Sequence, residues 1–149
     1  MAGDESRVAF EIETGFGFQH AHRGERDRHQ RLLRILGERE RIGRAFAVWL
    51  PDAGPVAVGR DMRPDSAELA AAITKGLRTQ GRDVIDIGEV TSDMIYFATG
   101  HNKLGGGVMI TARHNPVEYN GIKFCRRAAK PVGIETGTMV IGERARLQA

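Results

Sequence analysis

After Pro55 the chain alternates between two apolar patterns, and that alternation leaves few folds open to it. Val56-Ala57-Val58 is a compact apolar run closed by Gly59. Leu69, Ile73 and Leu77 then recur at the period of one helix face, and Asp83-Val84-Ile85-Asp86-Ile87 returns to a strand-like run. Thr91-Ser92 opens a short helix running to Gly100, and Gly107-Val108-Met109-Ile110 is a third strand. Strands separated by helices of this length predict a largely parallel sheet covered on both faces. Gly121-Ile122-Lys123-Phe124 follows the third strand too closely for a crossover, so it is expected to be antiparallel. The fold class expected is therefore α/β: a three-layer α/β/α domain with a mixed, mostly parallel sheet whose last strand is antiparallel.

Local signals refine the pattern. Asp65-Ser66-Ala67-Glu68 has the spacing of a capping box, with Asp65 accepting from the backbone and Glu68 reaching back. Gly81 is placed to end that helix. Upstream, Leu32, Ile35, Leu36, Ile42, Ala45, Phe46 and Trp49 recur at spacings of three, four and seven, which predicts a helix over 27–50 ended by Pro51 and Gly54. Residues 1–40 have a different texture. Every basic residue there is Arg or His, and the first lysine is Lys75. The chain is accordingly read as an aberrant or disordered segment, 1–40, followed by a domain, 41–149.

A chain of 149 residues suits one domain with a real core. The net charge of +3 is mild, and acids interrupt the basic residues of 20–44 at Glu25, Asp27, Glu38 and Glu40, so no nucleic-acid partner is expected. No apolar run is long enough to span a bilayer, so no membrane partner is expected either. Met1–Phe10 lacks the pattern of a signal peptide, and the single Cys125 excludes an internal disulfide. The cytoplasm is the expected location. His20, His22 and His29 have neither Cys nor a carboxylate cluster nearby, so a metal site is not expected there.

The segment Gly105-Gly106-Gly107-Val108-Met109-Ile110-Thr111-Ala112-Arg113-His114-Asn115-Pro116-Val117-Glu118-Tyr119-Asn120-Gly121-Ile122-Lys123-Phe124 resembles the active-site signature of the α-D-phosphohexomutases, the phosphomannomutases and phosphoglucomutases. In that family a strand ends in Thr-Ala-Ser-His-Asn-Pro, and Glu-Tyr-Asn-Gly-Ile-Lys-Phe follows. Arg41–Ala47, Val58–Pro64, Val84–Gly88, the helix after Thr91 and Cys125–Gly133 extend the likeness, so that 41–142 is covered well and 1–40 poorly. The resemblance implies the N-terminal α/β/α domain I of an intramolecular phosphotransferase. Its phosphoserine gives the phosphoryl group to a hexose phosphate, a hexose 1,6-bisphosphate reorients, and the other phosphoryl group returns. Mg²⁺ neutralises charge during transfer.

Arg113 occupies the serine position. It has no hydroxyl and stays protonated, so the catalytic position is filled and the nucleophile lost. The resemblance gives His114 the task of positioning the phosphoryl group and Lys123 a candidate acid/base role on the sugar hydroxyl. Arg60 and Asn115 become the candidates for binding substrate phosphate, although a structural ion pair is the expected role of Arg60 and Asp61. The family's opening Tyr-Asp-Ile-Arg-Gly strand is matched only by Arg23-Gly24, and its Mg²⁺ loop (Asp-Gly-Asp-Gly-Asp) and sugar-selecting loop have no counterpart in the sequence. No cofactor is therefore expected in this chain, and catalysis is expected to be absent. The competing expectation is a non-catalytic module that binds sugar phosphates. With no first strand, Val56–Val58 is expected to lack a neighbour on one side, leaving an open sheet edge, marginal stability and self-association.

Overall fold

The computed structural model describes residues 25–111 and 121–148, with side chains from residue 33 onward except that of 134. The elements are α1 (Glu25–Trp49), β1 (Val56–Arg60), α2 (Pro64–Thr79), β2 (Val84–Glu89), α3 (Ser92–His101), β3 (Gly106–Ile110), β4 (Ile122–Arg126), β5 (Lys130–Val132) and α4 (Met139–Leu147). Among the described residues the sheet has five strands in the order β2-β1-β3-β4-β5. β1 lies parallel to both β2 and β3, and β4 is antiparallel to β3 and to β5. The expected class, mixed and covered on both faces, is the one observed.

The alternation along each strand divides the core in two. Val56, Val58, Val108, Ile110, Ile122 and Phe124 point to one face, under α1, α2 and α4. Phe46 of α1 meets Phe124 there, ring centroids 4.6 Å apart. Ala57, Met109 and Cys125 point to the other face, where α3 supplies Ile95. The thick face depends on a close helix crossing. A Cβ on Gly76 would stand 2.0 Å from the Glu40 carbonyl oxygen, and one on Gly43 would stand 2.3 Å from that of Ile73. The backbones of α1 and α2 therefore touch where neither residue has a side chain.

α1 runs through residues 40 and 41 without a break, and Ile35 belongs to the core. Three local expectations change. The Asp65–Glu68 capping box does not form: α2 starts at Pro64, preceded by Arg63 with no side-chain cap, and Asp65 lies inside the first turn. Proline's fixed φ suits the first helical position, so the helix begins before Asp65 can act as its cap. Thr91 precedes α3 as expected, but its hydroxyl makes no capping bond. Val56–Val58 is not an edge. β1 is paired on both sides, and the outer strands are β2 and β5. Its neighbours are β2, whose register places Val84 beside Val56, and β3, which places Gly106 there. Both outer strands are interrupted: β2 by an irregular register at Ile87, beside Gly88 at φ +75°, and β5 by Pro131 within only three residues. Gly81 does end α2, one residue beyond the cap. At φ +81° it donates to the Arg78 carbonyl at 2.9 Å, and Arg82 N–H reaches that of Leu77 at 3.1 Å.

The amino ends of the parallel strands are tied by two arginines. Arg82 donates to the carbonyl oxygens of Ala47, Leu50, Asp52 and Gly54. These are the last turn of α1 and the turn into β1, so Arg82 satisfies carbonyls that the helix end leaves open. Arg127, beyond β4, donates to the Ala53 carbonyl at 2.6 Å and lies 3.6 Å from Asp52.

Candidate functional site

The carboxyl ends of β1, β2 and β3 lie along one edge of the sheet, where open α/β folds bind ligands. Adjacent strand ends are stitched by backbone bonds. Val90 N–H donates to the Arg60 carbonyl at 2.9 Å, and Asp61 N–H donates to that of Ile110 at 2.9 Å. The chain leaves β3 through Thr111 and re-enters at Gly121, and Thr111 N–H donates to the Gly121 carbonyl at 2.7 Å. That bond closes the neck of the segment carrying Arg113, His114 and Asn115, three candidates that lie outside the described residues. His20, His22 and the expected position of the opening strand lie outside them as well, as does the side chain of His29.

Arg60 and Lys123 are both described. Arg60 closes β1, and its Nη1 is 3.6 Å from the Asp86 carboxylate of β2. The ion pair expected at this residue is present, with Asp86 rather than Asp61 as partner. The Arg60 side chain lines an open groove of about 570 Å³ between α2 and β2, with Ala70, Lys75 and Arg78 on the helix wall. Lys123 stands opposite Met109 in the β3–β4 ladder and is exposed. Its neighbours Ile122 and Phe124 point under α1, so Lys123 emerges on the α3 face. The sheet therefore brings Arg60 and Lys123 to one edge but on opposite faces.

Asp61, Arg63 and Ser66 form a cluster that the sequence reading passed over. Asp61 Oδ1 accepts the Arg63 N–H at 3.2 Å and the Ser66 hydroxyl, and Oδ2 is 4.0 Å from Arg63 Nε. The signal was present as Asp61-Met62-Arg63-Pro64-Asp65-Ser66, a carboxylate two residues before a cation and five before a hydroxyl. Reading Asp65 as the cap hid it.

Burial pushes the Cys125 thiol up, against the opposing pull of the Thr99 hydroxyl, so it stays protonated and unreactive at neutral pH. Burial likewise pushes the Tyr96 phenol up. Neither has the character of a nucleophile. Among the described residues no three His, Cys, Asp or Glu side chains gather into a set that could hold a metal. Among them too, no helix is long and apolar enough to cross a membrane.

Residues 38–146 match the family described as phosphoglucomutase/phosphomannomutase, alpha/beta/alpha domain I. The chain belongs to this family. A protein of Xanthomonas campestris pv. campestris named for phosphohexose mutases is 50% identical over 101 residues, 68% of this chain and 22% of its own length. A phosphomannomutase of Klebsiella pneumoniae is 46% identical over 97 residues, 65% of this chain and 61% of its own. The crystal structure of a phosphoglucomutase/phosphomannomutase family protein from Burkholderia thailandensis superposes with a TM-score of 0.60 at 31% identity, over 74% of this chain and 26% of that one. The chain thus spans about a fifth of the Xanthomonas relative's length, 22%.

Proposed function

We propose that this chain is the nucleophile-bearing domain of a phosphohexomutase, and that with Arg113 in the serine's place it transfers no phosphate. The observation that carries the reading is the placement of β3. An interior strand delivers Thr111 to the carboxyl edge, directly ahead of the Ala112-Arg113-His114-Asn115 segment, and the chain returns into β4 with Lys123 at the same edge. In an active relative of this design a serine at position 113 would take the phosphoryl group from a hexose 1,6-bisphosphate and return it to the other end of a mannose or glucose phosphate. His114 would position that group, Lys123 would exchange a proton with the sugar hydroxyl, and Asn115 and Arg60 would hold phosphate oxygens. Mg²⁺ would offset charge in that transfer, and the described residues offer it no ligand set. A guanidinium at position 113 can form no phosphoester.

The test is conversion of mannose 1-phosphate or glucose 1-phosphate to the 6-phosphate, with bisphosphate primer and Mg²⁺, in protein free of host mutase. No turnover above buffer is expected, since loss of a nucleophile costs on the order of 10⁶ in rate. Turnover well above buffer refutes the reading. A second reading, a non-catalytic module for sugar phosphates, is favoured by Arg113 itself, because arginine binds phosphate bidentately. Saturable binding of glucose 6-phosphate that is lost in Arg113→Ala would establish it.

The buried, unpaired Cys125 suits a reducing compartment such as the cytoplasm. Self-association through a sheet edge would use β2 or β5, and sedimentation at rising concentration tests it. The opening strand motif is proposed to lie in another reading frame ahead of α1; residues 25–40 are left out of that proposal, since α1 runs through them and Ile35 belongs to the core. Translation of the gene in all frames decides this, and the idea fails if no frame contains that motif.

A further inference from the structure

Asp61 occupies the point where β1 gives way to the loop before α2, and it is tied in two directions. Through its backbone it joins β3: the Asp61 N–H donates to the Ile110 carbonyl at 2.9 Å. Ile110 is the last residue of β3, and the next residue, Thr111, closes the neck onto Gly121. Through its carboxylate Asp61 joins α2. It accepts the Ser66 hydroxyl and the Arg63 N–H, and it holds the Arg63 guanidinium 4.0 Å away. Ser66 is fully buried in the first turn of α2, at 0% exposure, so its hydroxyl depends on this acceptor. Helix, strand end and neck are thereby linked through one residue.

We propose that Asp61 is a positioning residue for Thr111: by clamping the end of β3 to the first turn of α2, it sets where the chain leaves the sheet ahead of the position that a serine holds in the family. The role of that position rests on the reading above, whereas the clamp itself does not. The carboxylate's two acceptor bonds hold the loop closed over Ser66. With the loop closed, the backbone N–H of Asp61 stays aimed at Ile110, and the strand end cannot fray toward Thr111. Asparagine retains an acceptor oxygen for Ser66 and Arg63, and alanine retains none.

The test is residue-resolved amide hydrogen exchange on the whole chain. Asp61→Ala is expected to speed exchange at Thr111 by about tenfold or more while Val108 and Leu77 in the core keep their rates, the signature of local opening. Asp61→Asn is expected to restore most of the protection. Unchanged exchange at Thr111, or a rise shared equally by Val108 and Leu77, overturns the proposal, the second because Asp61 would then only stabilise the fold. Should Asp61→Ala not fold, Ser66→Ala severs the tie to α2 alone and must speed the same amide. A second arm uses Arg113→Ser, followed by mass spectrometry during incubation with glucose 1,6-bisphosphate. Adding Asp61→Ala is expected to lower the maximal phosphorylation rate more than it shifts half-saturation. If Arg113→Ser takes up no phosphate at all, the reading of this edge fails, and the exchange data still decide the role of Asp61.

Discussion

At the amino ends of the strands, Arg82 directs its guanidinium at four backbone carbonyls lying 28 to 35 residues away in the sequence. At the carboxyl ends, Arg60 and Arg63 lean on carboxylates at 3.6 and 4.0 Å, with the Asp86 partner 69% exposed. The same residue type thus performs two tasks. Carbonyls at a helix end are fixed acceptors that need a donor, so the amino-end contacts hold distant segments together. Loose ion pairs at an exposed edge contribute little to stability and can be exchanged for a ligand's oxygens. At the amino end arginine fastens distant backbone, and at the carboxyl end its ion pairs are loose beside the tie that Asp61 makes to Ser66.

The largest expected effect lies at the carboxyl end. Arg113→Ser returns a hydroxyl to the segment after Thr111 and is expected to gain one covalent phosphate from a hexose bisphosphate, seen on that serine by mass spectrometry. Complete turnover is not expected, because the described residues supply no metal site. Full mutase activity in the single variant would break the account of the mechanism.

Next in size is the contrast between the two ends. Arg82→Ala strips donors from four carbonyls and is expected to cost about 3 kcal/mol in chemical denaturation, hydrogen bonds from a charged donor being the stronger kind. Lysine at this position should recover only part of that, since it lacks the planar fork. Arg60→Ala, at the other end, is expected to cost less than about 1 kcal/mol. Equal losses at the two ends would erase the distinction.

The smallest effect sharpens it from a third place, the crossing of α1 and α2. Glu40 is bonded to Arg44 and lies 3.4 Å from Lys75. The Arg44 hydrogen bond, followed by the Lys75 charge, holds its carboxyl below the ordinary value of 4.5 against the opposing effect of burial. A folded value below the unfolded one stabilises the fold above the unfolded pKa. That contribution is lost as pH falls from about 4.5 through the folded value. Its loss is expected to be under about 1 kcal/mol. Glu40→Gln should flatten this part of the stability curve, and an unchanged slope would remove Glu40 from the account.

Much of this arrangement was legible in the sequence. The alternation of strand and helix periods from Val56 to Phe124 gave the class, the succession of elements along the chain and the antiparallel return. The signature after Gly105 gave the family. What stayed hidden was settled by contacts between distant segments. Lys130-Pro131-Val132 is too short and too polar to announce a strand, and it pairs only because β4 lies beside it. α4 buries just Ile141, Gly142 and Ala145, leaving Met139, Val140 and Leu147 exposed, so its apolar periodicity is weak. The interior position of β1 follows from strand order, which spacing along the chain does not encode. At the site, the likeness proposed Arg60 and Lys123 one by one, but not that they would emerge on opposite faces. The Asp61–Ser66 tie was masked by a capping pattern that Pro64 pre-empts.

The crossing at Gly43 and Gly76 has a consequence for uniqueness rather than strength. Moving α1 along α2 by one helical turn would bring Arg39 or Ala47 to the place of Gly43. Moving α2 would bring Ala72 or Gln80 to that of Gly76. Each substitute carries at least a methyl group into a space where a Cβ would lie 2.0 to 2.3 Å from a carbonyl oxygen. The two helices therefore mesh like a lock with a single notch, and every neighbouring setting jams. A chain with so ordinary an apolar pattern on α1 could otherwise settle in several nearly equal packings. Two absent methyl groups choose one of them, and with it the angle at which the whole upper layer rests on the sheet.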